Sequence, residues 1–102
     1  EIVAIRKACR ILSSFQLREC ELYSSCEPCP MCLGAIYWAR PEAVFFAGTR
    51  DDAAAGGFDD SFIYTELKAT PSQRSILTKQ IEHPDKLRPF EAWARNQNRI
   101  EY

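Results

Sequence analysis

From residue 2 onward the apolar positions fall at helical spacing. Ile2, Ile5, Cys9 and Leu12 share one face, with Ala8 beside them, while Arg6, Lys7, Arg10 and Ser13 fall on the other. That pattern predicts a half-buried helix over residues 2–14. Glu21-Leu22-Tyr23-Ser24-Ser25 is a short strand candidate. Residues 30–40, rich in Ala, Leu, Ile and Trp, predict a second helix, with Pro41 just past its end. Ala43-Val44-Phe45-Phe46-Ala47 is an unbroken apolar run of strand length, as expected of a buried parallel strand. The order helix, strand, helix, strand predicts βαβ packing around a parallel sheet and places the chain in the α/β class.

Beyond that the pattern weakens. Residues 51–60 read as a loop, with four acidic residues and the Gly56-Gly57 pair. Residues 61–69 predict a third helix, capped by Ser61 or Asp60, and Thr70-Pro71-Ser72 breaks it. Residues 75–81 are a faint strand candidate, 82–86 a linker, and 89–98 a last helix with Pro89 at its first position. Two clear strands and one faint one make a thin sheet. A complete domain of this kind needs more strands, so further structure is expected upstream, and residues 1–102 alone would leave an unpaired sheet edge.

Composition narrows the classes of function. At 102 residues the chain is one domain or most of one. A hydrophobic content of 46% and a charged content of 26% are ordinary for a globular protein. A net charge of -1 and a pI near 5.8 leave no basic footprint for wrapping nucleic acid. No apolar stretch reaches the roughly 18 residues a membrane-spanning helix needs. Five cysteines is an odd number, which argues against a secreted disulfide scaffold and for a reducing cytoplasm.

The candidate chemistry sits at the start of the second helix. Glu27-Pro28-Cys29-Pro30-Met31-Cys32 puts two thiols three residues apart between a strand and an apolar helix. Two such thiolates grip one tetrahedral metal ion, and zinc is the ion that best suits them. The positive end of the helix favours the deprotonated ligands, and Pro28 and Pro30 stiffen the approach. PCxxC is also half of the pattern H-x-E…P-C-x-x-C of the zinc deaminases. Glu1, which opens the run Ile2-Val3-Ala4-Ile5-Arg6, stands where that pattern has its acid. The sequence starts at Glu1, and its only methionine is Met31. The expectation is therefore an N-terminally trimmed piece, with a His ligand two positions upstream of Glu1.

Ser24-Ser25-Cys26-Glu27-Pro28-Cys29-Pro30-Met31-Cys32 resembles the metal-binding segment of the cytidine and deoxycytidylate deaminase superfamily. Three further segments, Leu33 to Pro41, Gly57 to Tyr64 and the ending Glu101-Tyr102, make the chain similar to the bacterial guanine deaminases along essentially its whole length. The resemblance implies a three-layer α/β/α cytidine-deaminase-like fold, incomplete at the N-terminus. It implies a zinc-dependent deaminase domain over residues 1–102 that hydrolyses guanine to xanthine and ammonia. Cys29 and Cys32 resemble two zinc ligands, and Glu1 the proton shuttle. Asp60 resembles an acid reading the purine, Trp38 an aromatic of the pocket wall, and Tyr102 a C-terminal tyrosine closing the site. It further implies a homodimer in which residues 82–102, a linker plus helix and tail, are exchanged between subunits.

Each residue has a plainer alternative. Cys29 and Cys32 as packed thiols or a redox pair, Glu1 as an exposed first residue, Asp60 as a helix cap, Trp38 as core and Tyr102 as a frayed end all stay open. Cys26 reads as a packed thiol, Cys9 and Cys20 as structural, His83 as a surface histidine and Glu66 as part of a solvated face. Two functional rivals remain. One is a deaminase of another base or nucleoside, such as guanosine, cytosine or tRNA adenosine, with the near-neutral charge and the Glu101-Tyr102 ending arguing against tRNA. The other is an interaction piece that holds zinc structurally. Residues 1–102 by themselves, with two thiolates and no third ligand in context, are expected to be inactive.

Overall fold

The computed structural model describes residues 1–101. It divides into two units, Glu1–Ala69 and the remainder from Thr70. In the first, helix α1 spans Ile2–Leu12, strand β1 Glu21–Cys26, helix α2 Pro30–Ala39 and strand β2 Ala43–Gly48. The two strands run parallel, in the register Leu22 opposite Val44, Tyr23 opposite Phe45 and Ser24 opposite Phe46. This is the predicted βαβ unit, and the α/β class stands.

Helices α1 and α2 bury their apolar stripes against one face of the sheet. Ile5, Leu17, Ile36 and Ala39 form the core, with Ala8, Cys9, Cys20, Leu22, Ala35 and Val44 packed around it. Leu17 lies in the connection after α1, and its N–H bonds the Ala39 carbonyl at 2.7 Å, strapping that connection to the end of α2. Cys9 and Cys20 are half-buried in this packing, the structural role expected of them.

Both helices stop where a residue turns left-handed. Ser13 at φ 50° ends α1 and Arg40 at φ 55° ends α2. The first helix is therefore shorter than residues 2–14, and Leu12, expected on the buried face, is 53% exposed at its frayed last position. The buried-strand expectation for β2 also needs correction. Phe45 and Phe46 are each 47% exposed: Phe45 lies on the face away from Leu22 and Val44, and Phe46, on the Val44 face opposite Ser24, is not part of the packed core. On the opposite face Tyr23 stacks on Phe45 with ring centroids 5.0 Å apart.

Residues 51–60 are not all loop. Helix α3 spans Arg50–Ala55 and starts from a capping box. Thr49 Oγ1 accepts from the Asp52 N–H at 3.2 Å, and Asp52 Oδ2 accepts from the Thr49 N–H at 2.8 Å. Reciprocal bonds of this kind satisfy two otherwise orphaned amides. Gly57, at φ 91°, supplies the left-handed turn after α3 that a side chain would strain. Helix α4 then covers Ser61–Lys68, close to the expected span.

The Thr49 bonds hold the Asp52 carboxyl below its ordinary value of 3.8. A depressed folded-state value means stabilisation that is present above the unfolded value and lost as pH falls through the folded one. Amide protection in α3, taken relative to intrinsic exchange, is therefore expected to fall below about pH 4, and Asp52→Asn should remove that fall. Exchange rates followed by NMR check this.

The second unit carries a 3-10 turn at Pro71–Gln73 and helix α5 at Arg88–Arg95. Residues 75–81 form no strand, contrary to expectation. Ile76, Leu77 and Ile81 are 77%, 88% and 76% exposed, and among the described residues no strand pairs with this segment. The last helix is shorter than 89–98, since Asn96 is extended and its side chain accepts from the Asn98 N–H at 3.0 Å. An Asn side chain that bonds nearby amides competes with helix continuation. Among the described residues no helix is long and apolar enough to cross a membrane.

The first unit's core is small, so each member counts. Ile36 is 5% exposed between α1 and the sheet. Ile36→Ala is expected to cost about 2–5 kcal/mol of stability, read by denaturant unfolding.

Candidate active site

Three elements bring their ends to one place. The first is the start of α2. Cys29 is its N-cap residue, in extended backbone, and Pro30 is its first helical residue, where a missing N–H leaves nothing unsatisfied. Cys32 follows on the inward side with Ile36 and Ala39, and all three are buried. The Cys29 and Cys32 thiols are neighbours, near enough for Cys29 to act on the Cys32 thiol. Burial, together with bonds to Glu1 and Cys29, pushes the Cys32 thiol up to about 11.

The second element is the start of α1. Glu1 is the N-cap residue, and its carbonyl accepts from the Ile5 N–H at 2.8 Å. Its carboxylate makes no capping bond to its own helix. It reaches instead to the Cys32 thiol and to β1, where Ser24 Oγ donates to Glu1 Oε1 at 2.5 Å. The Ser24 bond, seconded by Cys32, holds the Glu1 carboxyl below its ordinary value of 4.5 against the opposing effect of burial. Hydrogen bonds to the charged form outweigh partial desolvation in the open site.

The third element is β1 itself. Strand alternation places Ser24 on the same face as Leu22, toward the helices. Ser24 was not among the residues singled out from the sequence. Its signal was a polar residue at an inward position of a strand.

As metal ligands, Cys29 and Cys32 supply two adjacent soft sulfurs, which is half of a tetrahedral shell and fits zinc to that extent. Among the described residues no group of three or more His, Cys, Asp or Glu side chains stands ready around a common point. His83 is exposed in the second unit, and its Nδ1 accepts from the Asp85 N–H at 3.1 Å. Cys26 stays a free thiol, with Sγ 3.8 Å from the Thr49 carbonyl oxygen. The preceding loop is tied down by Glu27, whose N–H bonds the Gly48 carbonyl at 2.8 Å and whose Oε2 accepts from the Arg50 N–H at 3.1 Å.

The other expected site residues are not gathered at this point. Asp60 sits at the N-cap position of α4 but makes no capping bond; the neighbouring Asp59 Oδ1 accepts from the Ser61 N–H at 2.9 Å instead. Asp60 borders a polar cleft of ≈ 260 Å³ that includes Arg50, Tyr64 and Lys68. In it the Arg50 guanidinium lies 5.0 Å from the Tyr64 ring centroid. Glu1, Cys29 and Cys32 do not line that cleft. Trp38 is 65% exposed on α2, which removes the core reading for it. Tyr102 lies outside the described residues.

Comparison with known proteins follows the same residues. Residues 1–48 match the family described as the cytidine and deoxycytidylate deaminase zinc-binding region. Over all 102 residues the chain is 56% identical to the guanine deaminase of Bacillus subtilis, spanning 65% of that protein's length. It superposes on the X-ray structure of that organism's guanine deaminase with a TM-score of 0.93 at 55% identity, covering 99% of this chain and 64% of the other. It is also 38% identical over 69 residues to the tRNA-specific adenosine deaminase of Rickettsia bellii, covering 68% of this chain and 46% of that protein. Glu1, Cys29 and Cys32 all fall within the residues that match the cytidine and deoxycytidylate deaminase zinc-binding region, on a fold similar to that of a guanine deaminase.

Proposed function

We propose that the protein carrying this chain is a zinc-dependent hydrolase that deaminates guanine to xanthine and ammonia. One observation carries the reading: the Glu1 carboxylate, held by Ser24 Oγ at 2.5 Å, stands near enough to Cys32, and Cys32 to Cys29, for each to shift the other's charge at the start of α2. The likeness to a guanine deaminase over the whole chain supports the choice of substrate. Cys29 and Cys32 would hold the metal, and the H-x-E pattern assigns an imidazole ligand to the position two before Glu1. Zinc, when bound there, supplies the Lewis acidity that makes water nucleophilic at neutral pH.

The remaining steps fall to the chain's own groups. Ser24 keeps the Glu1 carboxylate charged, which is the form that accepts a proton from water. Glu1 passes that proton to ring N3, so that C2 becomes electrophilic and takes the oxygen. It then moves the proton of the hydroxyl added at C2 to the departing amine, so that the C2–N bond breaks, the C2 carbonyl of xanthine forms and ammonia leaves. Asp60 would accept hydrogen bonds from guanine N1–H and the 2-amino group, with Trp38 as a wall and Tyr102 as a closing residue. In the dimer that accompanies this reading, residues 82–102 are exchanged between subunits. Five free thiols suit a reducing cytoplasm.

The match to tRNA-specific adenosine deaminases favours a second reading, in which the base is adenine in RNA. That match covers 69 residues, whereas the guanine deaminase likeness covers 102, and a net charge of -1 does not suit a tRNA partner. Ammonia release from guanine, guanosine, cytosine, adenine and tRNA with full-length protein separates the readings. Turnover of guanine above the others is expected, and none on guanine would overturn the proposal. Residues 1–102 made alone are expected to hold metal weakly and to turn over nothing.

A further inference from the structure

We propose that Ser24 is a positioning residue for Glu1, fixing one oxygen of its carboxylate beside Cys32. The inference rests on the functional reading above and concerns how the site is set. The Glu1 carboxylate is met by a residue 23 positions along the chain, Ser24, whose Oγ donates to Oε1 at 2.5 Å beside Cys32. Ser24 is suited to hold it there. Its side chain has one rotatable carbon bond, and its backbone is fixed opposite Phe46 in the parallel ladder. The strand therefore sets where the hydroxyl stands, and the hydroxyl sets where one carboxylate oxygen stands. The other oxygen is left to trade protons.

A group that moves protons must be placed to within a fraction of an ångström, and a misplacement of about 1 Å can cost about a hundredfold. Without Ser24 nothing fixes that carboxylate oxygen, and its place beside Cys32 is no longer set. Threonine at the same place keeps the hydroxyl and suits a strand.

The test compares Ser24→Ala and Ser24→Thr in the full-length, zinc-loaded protein. Ser24→Ala is expected to lower kcat about ten- to a hundredfold, with KM unchanged and one zinc retained per chain. Ser24→Thr should restore kcat. A readout independent of turnover is the carboxylate stretch of Glu1 in difference infrared spectra, identified as the band that Glu1→Gln removes. That band should shift in Ser24→Ala and stay in place in Ser24→Thr. An unmoved band in Ser24→Ala, an unchanged kcat, or a loss of kcat that tracks loss of zinc would overturn the proposal. Should the unmutated protein fail to deaminate guanine, the functional reading falls by itself. The infrared comparison then decides for or against the placement of Glu1 by Ser24.

Discussion

Glu1→Gln is expected to remove essentially all turnover while leaving zinc in place. The amide keeps the size of the carboxylate and can still accept from Ser24 Oγ, the contact seen at 2.5 Å. What it cannot do is take up a proton. Losing one positioned acid or base typically costs about 10²–10⁴-fold. Because Glu1 would serve both the transfer to the ring and the transfer to the amine, the upper end or beyond is expected. Ammonia release gives kcat, and mass spectrometry of the native protein gives the metal content. A variant within about tenfold of the parent would mean that another group moves the protons.

The second large effect is expected at the sulfurs. Cys29→Ala and Cys32→Ala each remove one of the two neighbouring thiols at the start of α2. Partners outside a ligand shell cost about 10–100-fold in metal affinity when lost, so a ligand itself should cost more. Both variants should fall to background activity and below one zinc per chain. Cys26→Ala is the control. Its thiol sits in the same loop but reaches only the Thr49 carbonyl oxygen, 3.8 Å away. Full zinc and near-normal turnover are expected from it. Zinc loss in Cys26→Ala equal to that in Cys29→Ala would shift the metal site.

The parts of the fold that were legible are those where periodicity and burial agree. Ile5 and Cys9 sit where helical spacing puts them, and the strand around Val44 pairs as a parallel neighbour of β1. Helix α3 was hidden by composition. Gly56 and Gly57 and the acidic run look like loop, yet Thr49 followed three residues later by Asp52 is a capping box that a closer reading would have weighed. The segment 75–81 failed for the opposite reason. Its Ile and Leu content suggests a strand, but a strand exists only where an edge pairs with it, and composition cannot show an edge.

The site divides in the same way. PCxxC and the run after Glu1 are local patterns, so Glu1, Cys29 and Cys32 could be named as candidates from the sequence. Ser24 could not be named that way. Its role depends on β1 facing the start of α1, which is a tertiary fact. Its only trace in the sequence is a hydroxyl at an inward strand position. Asp60 shows the limit of inference by cap position, since Asp59 makes the bond that Asp60 was expected to make.

Zinc K-edge X-ray absorption on the full-length protein bears most directly on the shared metal of Cys29 and Cys32. Two sulfurs per zinc at about 2.3 Å, with lighter atoms completing the shell and one sulfur lost in Cys32→Ala, is the expected result. A shell of nitrogen and oxygen alone, or a sulfur count unchanged in that variant, would contradict it.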